Sequence, residues 1–321
     1  MKANVLRAGH AVYYVTDLER ARAFYVGLLG LDVVHEGEDA LFLRGVEERE
    51  WSLKVALREQ AGAGRIAFKV AGDEDLDALL ELARQRGLKT QETEDFGVPR
   101  LVRLEDPSGL PVAFYARAAK HARILQDYHR HRGPGVQRID HFNVMVPDVQ
   151  RAHDFYAHEL GFRLSEYTVD EGEKLWAAWL QRKGNVHDLA LMNGLGPRLH
   201  HVGLWTSEPM SLIRACDILA SAMQTDRIER GPGRHGLSNA MFLYLRDDDG
   251  NRIELYSSDY LTVDPDVEPL RWTLDDPRRQ TLWGHAAPAS WFSEASSLET
   301  LSGGSASLLE GKLAGRPQHL T

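Results

Sequence analysis

The stretch Arg138-Ile139-Asp140-His141-Phe142-Asn143-Val144-Met145-Val146 is rich in apolar and β-branched residues, the composition of a β-strand. On a strand, side chains at i and i+2 share a face. His141 and Asn143 therefore point the same way, with Ile139 and Met145 beside them. A histidine and an amide projecting from one strand into a cavity can hold a metal and a ligand on it. A lone strand histidine is more often a hydrogen-bonded core residue, so the reading turns on the residues found with His141 elsewhere in the chain.

Working outward, the stretch has a counterpart earlier in the chain. His141, Asp148, Phe155-Tyr156 and Gly161 each lie 131 positions after His10, Asp17, Phe24-Tyr25 and Gly30. In the first copy, residues 9–15 read as a strand and Thr16-Asp17 as a helix cap. Residues 18–29 have helical spacing through Leu18, Ala21, Phe24, Tyr25 and Leu28, and Gly30 ends them. Hairpin-like runs at 40–43 and 51–57, a strand at 65–70 and an amphipathic helix at 76–86 follow. A β-turn-β pair around Asp106-Pro107-Ser108-Gly109 closes the unit. In the second copy His201-Val202-Gly203-Leu204 aligns with Arg65-Ile66-Ala67-Phe68, Asp247-Asp248-Asp249-Gly250 with the turn, and Glu254-Leu255-Tyr256 with Ala113-Phe114-Tyr115. Such self-similarity marks duplicated modules, each a curved sheet with helices outside it.

The comparison of halves assigns the chemistry. At three matched strand positions the second unit offers His141, His201 and Glu254, where the first offers His10, Arg65 and Ala113. A metal site needs three donors, so residues 1–120 read as a domain without metal and 137–262 as the catalytic one. Residues 121–136 read as a basic linker helix, flanked and lined by Arg117, Lys120, Arg123, Arg130 and Arg132. Residues 263–321 read as an extension with Trp272, Trp283 and Trp291, becoming a flexible tail from Ser302.

Composition narrows the partners. The chain has 321 residues, 43% hydrophobic and 26% charged, with a net charge of −9. That length suits two domains, and the acidic balance argues against a nucleic-acid or basic membrane-binding surface. No apolar run approaches the roughly 20 residues of a membrane span, and the N-terminal residues lack the order of a signal peptide. Cys216 is the only cysteine, so a metal site must be built from His, Asp and Glu. Cytoplasmic residence and small-molecule partners are expected.

Two imidazoles and one carboxylate leave further positions on a metal open, an arrangement suited to Fe(II) enzymes that use oxygen and to Mn(II). His201 is preferred to its neighbour His200 because it shares a face with Gly203 and fits the repeat register; His200 would point outward or toward a second layer. Glu254 lies on the face opposite Ile253 and Leu255, where a carboxylate needs a cation or an arginine. His187, after the turn Gly184-Asn185, could move a proton, or be a merely exposed loop residue. The run 227–236 places Arg227, Arg230, Arg234 and His235 in a glycine-rich loop able to grip a carboxylate, or forming a solvated turn. Tyr244 and Trp179 suit a substrate wall as well as a core. Asp247-Asp248-Asp249-Gly250 lacks the spaced ligands of a calcium loop and reads as a hairpin turn.

The runs 138–143, 182–188, 196–202 and 226–236 closely resemble the type I extradiol ring-cleaving dioxygenases of the vicinal oxygen chelate superfamily. The resemblance covers nearly the whole chain and is strongest from 138 to 292. It implies an α+β fold of tandem βαβββ modules forming two barrel-like domains, and a homotetramer. It makes His141, His201 and Glu254 the ligands of one Fe(II) or Mn(II), His187 an acid/base beside it, and Asn143, Trp179, His235 and Tyr244 pocket residues. Arg230 becomes a clamp for a substrate carboxylate, together with Arg279 in preference to Arg278. The implied reaction is cleavage by dioxygen of a catechol, 3,4-dihydroxyphenylacetate, beside its diol to give a 2-hydroxymuconic semialdehyde product. A metal-free binding protein on the same scaffold, or a dioxygenase for another catechol, is the alternative.

Overall fold

The computed structural model describes residues 2–313. The first unit runs β1 (Val5–Val15), α1 (Leu18–Arg22), β2 (Asp32–Glu36), β3 (Ala40–Arg44), β4 (Leu53–Leu57), β5 (Gly62–Val70), α2 (Asp73–Arg86), β6 (Thr90–Asp95), β7 (Val98–Glu105) and β8 (Pro111–Tyr115). The second repeats it with β9 (Val136–Val146), α3 (Val149–Asp154), β10 (Arg163–Val169), β11 (Leu175–Gln181), β12 (Leu189–Asn193), β13 (Arg198–Thr206), α4 (Met210–Ser221), β14 (Ile228–Arg234), β15 (Met241–Arg246) and β16 (Arg252–Ser257). An extension adds β17 (Leu270–Thr273), α5 (Ala289–Ser293) and β18 (Ser296–Ser297).

Each unit is two βαβββ modules joined into one curled sheet. The strand order is β6-β7-β8-β5-β1-β4-β3-β2 in the first and β14-β15-β16-β13-β9-β12-β11-β10 in the second, where β17 extends the edge beyond β10. Antiparallel pairs β1/β5 and β9/β13 join the modules. The caps read from sequence hold: Asp17 accepts from the Arg20 N–H and Asp148 from the Arg151 N–H, each at 3.0 Å. Both helices continue as a π-helical turn, over Ala23–Leu28 and Phe155–Glu159, and these turns bury Phe24, Tyr25, Phe155 and Tyr156.

The two units share one apolar core. Phe68 of the first meets Phe142 of the second edge-on at 5.5 Å, and Phe162 at 5.4 Å. Polar ties cross the same seam. Tyr13 donates to the Arg252 carbonyl at 2.8 Å, and Tyr25 to Asp247 at 2.9 Å within the Asp-rich hairpin turn. At the matched strand positions of the first unit, Arg65 donates to His10 at 3.3 Å and also pairs with Asp95. A guanidinium thus lies where the second unit has His201.

Three expectations need correction. The linker 121–136 is not a helix: its regular structure is a single 3-10 turn, Tyr128–Arg130. Its backbone pairs with the first unit instead, the His121 N–H with the Arg49 carbonyl and the Ala122 carbonyl with Arg44. Such tertiary partners outweigh a short helix's propensity. The glycine-rich loop 227–236 is largely an irregular edge strand, β14, paired with β15 through register shifts. The tail is docked where described: Leu309 exchanges backbone bonds with Gly196, and Leu313 meets Asn193. The rest of that expected tail, 314–321, lies outside the described residues.

Candidate metal centre

Strand register brings the three donors together. In β9/β13, Gly203 sits opposite His141 and His201 opposite Asn143; in β13/β16, Gly203 also faces Glu254. Glycine is required there, since a Cβ on Gly203 would come within 2.3 Å of the His141 ring. Nε2 of His141 lies 2.9 Å from Oε2 of Glu254 and 3.2 Å from Nε2 of His201, and Nε2 of His201 lies 3.0 Å from the same oxygen. All three residues are buried.

The outer contacts fix which nitrogens carry protons. Nδ1–H of His141 donates to Asp140 at 2.9 Å, which leaves its Nε2 to face Glu254 and His201. His200 donates from Nε2 to the Trp291 carbonyl at 2.8 Å, which leaves its own Nδ1 as the acceptor for Nδ1–H of His201, also at 2.8 Å. Nε2 of His201 is then a bare lone pair. Two imidazole nitrogens and a carboxylate oxygen converge here, a set that binds a proton or, in its place, a metal cation. With donor bonds of about 2.1 Å, right-angle coordination puts neighbouring donors about 3.0 Å apart, and a tetrahedron about 3.4 Å. The observed 2.9 to 3.2 Å is the spacing at which these three donors would hold one divalent cation together.

Electrostatics agree. Burial disfavours the Glu254 carboxylate, yet contacts with His141, His201 and His235 hold it well below the ordinary range. Burial also disfavours a charged His141, but Asp140 and Glu254 together raise it to about 9. The pocket therefore attracts positive charge.

Around this face lies a cavity lined by Asn143, Trp179, His187, His235, Tyr244 and Arg279, among others. The His187 ring stands 4.0 Å from that of His141, with its Nδ1 buried and without a partner among the described residues. Burial, then the charges of His141 and Lys183, push its pKa well down, so a neutral imidazole faces the cavity. His235 donates from Nδ1 to the Gln280 carbonyl at 2.5 Å and accepts at Nε2 from Tyr244 at 2.9 Å. Tyr244 is directly opposite Glu254 in β15/β16.

Arg230 is buried between the rings of Phe242 and Trp291, at 4.6 and 4.7 Å. One of its terminal nitrogens donates to Thr281 at 2.6 Å, while among the described residues Nε and Nη1 have no partner, nor has Nε of buried Arg279. Arg278, in contrast, is exposed and paired with Asp276. Sequence reasoning missed three contributors. Asp140 and His200 set the imidazole tautomers, and adjacency to the ligand histidines is their only signal. Trp291, from the extension, supplies a wall and a carbonyl without any periodic pattern.

The model of the Glyoxalase/Bleomycin resistance protein/Dioxygenase superfamily matches residues 7–114 and 138–255. The chain is 30% identical, over 88% of its length and 95% of the relative's, to a manganese-dependent 2,3-dihydroxybiphenyl 1,2-dioxygenase of Geobacillus genomosp. 3. It is 29% identical to a metapyrocatechase of Geobacillus stearothermophilus, over 90% and 93% of the two chains. The solved anaerobic substrate complex of homoprotocatechuate 2,3-dioxygenase from Brevibacterium fuscum, with 3,4-dihydroxyphenylacetate, superposes with a TM-score of 0.93 at 39% identity, covering 96% of this chain and 98% of that one. Fold, converging donor set and relatives agree: the chain belongs to the Glyoxalase/Bleomycin resistance protein/Dioxygenase superfamily and is one of its extradiol dioxygenases.

Proposed function

We propose that the protein cleaves 3,4-dihydroxyphenylacetate with dioxygen, opening the ring beside the diol to give a 2-hydroxymuconic semialdehyde product. The observation that carries the substrate choice is the pair of buried arginines with unpartnered nitrogens, Arg230 and Arg279. Buried guanidinium N–H groups without acceptors are costly, and a carboxylate satisfies them in pairs. Burial lowers both arginines to about 10, so both remain cationic at neutral pH. The dioxygenase of known structure with 3,4-dihydroxyphenylacetate bound supports the same choice.

Roles for the other residues follow from placement. His141, His201 and Glu254 would hold one divalent metal, for which the donor set accepts both Fe(II) and Mn(II). When bound, that metal supplies a Lewis acid on which catechol oxygens and dioxygen are brought together. His187, neutral and with a free Nδ1, takes a proton near the metal and returns one as the ring opens. The Tyr244 hydroxyl, oriented by His235, and Asn143 hold substrate oxygens. Trp179 walls the ring. The chain carrying this site is read as cytoplasmic, from its single cysteine, and as a homotetramer, from the family resemblance.

The test compares kcat/KM for 3,4-dihydroxyphenylacetate and uncharged 4-methylcatechol on metal-loaded protein. A preference of about a hundredfold or more for the carboxylated substrate is expected, matching two charge-assisted contacts. Equal values, or faster cleavage of a biphenyl diol, would reassign the substrate within the extradiol class.

A further inference from the structure

Glu166, on β10, is fully buried, and its hydrogen-bond partners are all neutral. Oε1 accepts from the Ser238 N–H and from the Tyr260 hydroxyl, each at 2.7 Å, and Oε2 accepts from the Trp272 indole N–H at 2.7 Å. A buried carboxylate without a countercharge is expensive, and burial raises this one to about 7. The fold does not need it: Trp179, its partner across β10/β11, belongs to an apolar cluster.

The three donors come from three different segments, and Ser238 and Trp272 reach the cavity or the side chains that line it. Ser238 lines it and lies three residues after His235. Ser238 and Asn239 hold left-handed backbones, with φ of 58° and 54°, which cost about 1 kcal/mol or more and persist only where the surroundings fix them. The same turn grips the extension, since the Leu237 N–H donates to the Arg279 carbonyl at 2.9 Å. Gly236 permits that approach: a Cβ there would lie 2.2 Å from the Arg278 carbonyl oxygen. Trp272 sits on β17, the strand that begins the segment carrying Arg279, and packs in the apolar cluster with Trp176 and Trp179. Tyr260 stands just beyond β16, the strand of Glu254.

We infer that Glu166 is a positioning residue for the end of the cavity that receives the substrate's distal group, tying the 236–239 turn and the C-terminal extension to β10 so that Arg279 faces the substrate. The inference rests on Arg230 and Arg279 being a carboxylate clamp. Glu166 touches neither the metal ligands nor the substrate; it acts through Ser238 and Trp272.

The experiment uses Glu166→Gln and, because a buried change could impair folding, Trp272→Phe, which removes one donor and keeps the carboxylate. Metal content, kcat and KM are measured with 3,4-dihydroxyphenylacetate and with 4-methylcatechol. A glutamine side chain cannot accept all three hydrogen bonds, so KM for the carboxylated substrate should rise about tenfold or more in Glu166→Gln, in line with loss of a charge-assisted bond. Trp272→Phe should move it less in the same direction. Metal content should stay at the wild-type level and the 4-methylcatechol constants should change little in both. Equal losses for the two substrates in both variants, or unchanged KM in both, would overturn the inference. Wild-type protein with no preference for the carboxylated substrate would instead sink the clamp, and this inference with it.

Discussion

Gly203 lies directly opposite His141 across the β9/β13 pair, and a single methyl group on it would press within 2.3 Å of the imidazole. The ring cannot retreat, because Asp140 holds its Nδ1. Gly203→Ala should therefore tilt His141 away from Glu254 and His201. Metal retention after dialysis should fall by about tenfold to a hundredfold, the range seen when a ligand's supports are disturbed. Metal content by elemental analysis checks it, and one tightly held metal per chain would contradict the packing argument.

In the proposed reaction His187 would move protons rather than hold metal: its ring lies 4.0 Å from that of His141, tilted by 41°, and its Nδ1 has no hydrogen-bond partner among the described residues. His187→Asn should slow turnover by about a hundredfold, the usual contribution of a positioned acid/base, with metal content unchanged. Steady-state oxygen uptake on metal-assayed samples decides; full-speed turnover would remove His187 from the chemistry.

Arg230 and Arg279 should act on binding of the carboxylate. Arg230→Ala should raise the KM for 3,4-dihydroxyphenylacetate by tenfold or more, in keeping with about 1.5 kcal/mol or more for a charge-assisted bond, and leave that for 4-methylcatechol little changed. Arg278→Ala, at an exposed position paired with Asp276, should do neither. A larger effect from Arg278→Ala than from Arg279→Ala would reverse the assignment.

Glu229 makes an acid-sensitive joint under the extension. Burial opposes its charge, but bonds from Arg252 and Arg246 bring its pKa down from 4.5 to about 2. A folded pKa below the unfolded one means that the stabilisation is complete above about pH 4.5 and is lost as pH falls toward about 2. Glu229→Gln should lower Tm at neutral pH, by the equivalent of about 3 kcal/mol for a buried arginine left unpaired. It should also flatten the fall in Tm across that acid window. Parallel Tm-against-pH curves for the two proteins would exclude the pair as the cause.

The repeat made the centre legible. Once His141 was aligned with His10 and Glu254 with Ala113, alternation along strands fixed which side chains share a face, and the observed pairs His10/Ala67 and His141/Gly203 keep that register. The edge strands β2 and β6 escape the sequence reading for different reasons: Asp32–Glu36 is short and half-buried, with two adjacent valines in place of alternation, and Thr90–Asp95 is polar and mostly exposed. The linker's basic, helix-compatible composition misled for a different reason: its carbonyls and N–H groups are claimed by Arg44 and Arg49 of the first unit. Trp291 and Glu166 were invisible as site-building residues. Their roles arise from an extension folded back over the second sheet, and such long-range contacts leave no local pattern.

The central claim is that His141, His201 and Glu254 hold a metal at which a catechol ring is opened by dioxygen. Oxygen uptake by anaerobically purified, metal-assayed protein mixed with 3,4-dihydroxyphenylacetate tests it most directly. One dioxygen should be consumed per substrate, with a yellow ring-opened product and a rate proportional to metal content. Protein carrying a full complement of Fe(II) or Mn(II) that takes up no oxygen with this or any other catechol would contradict it.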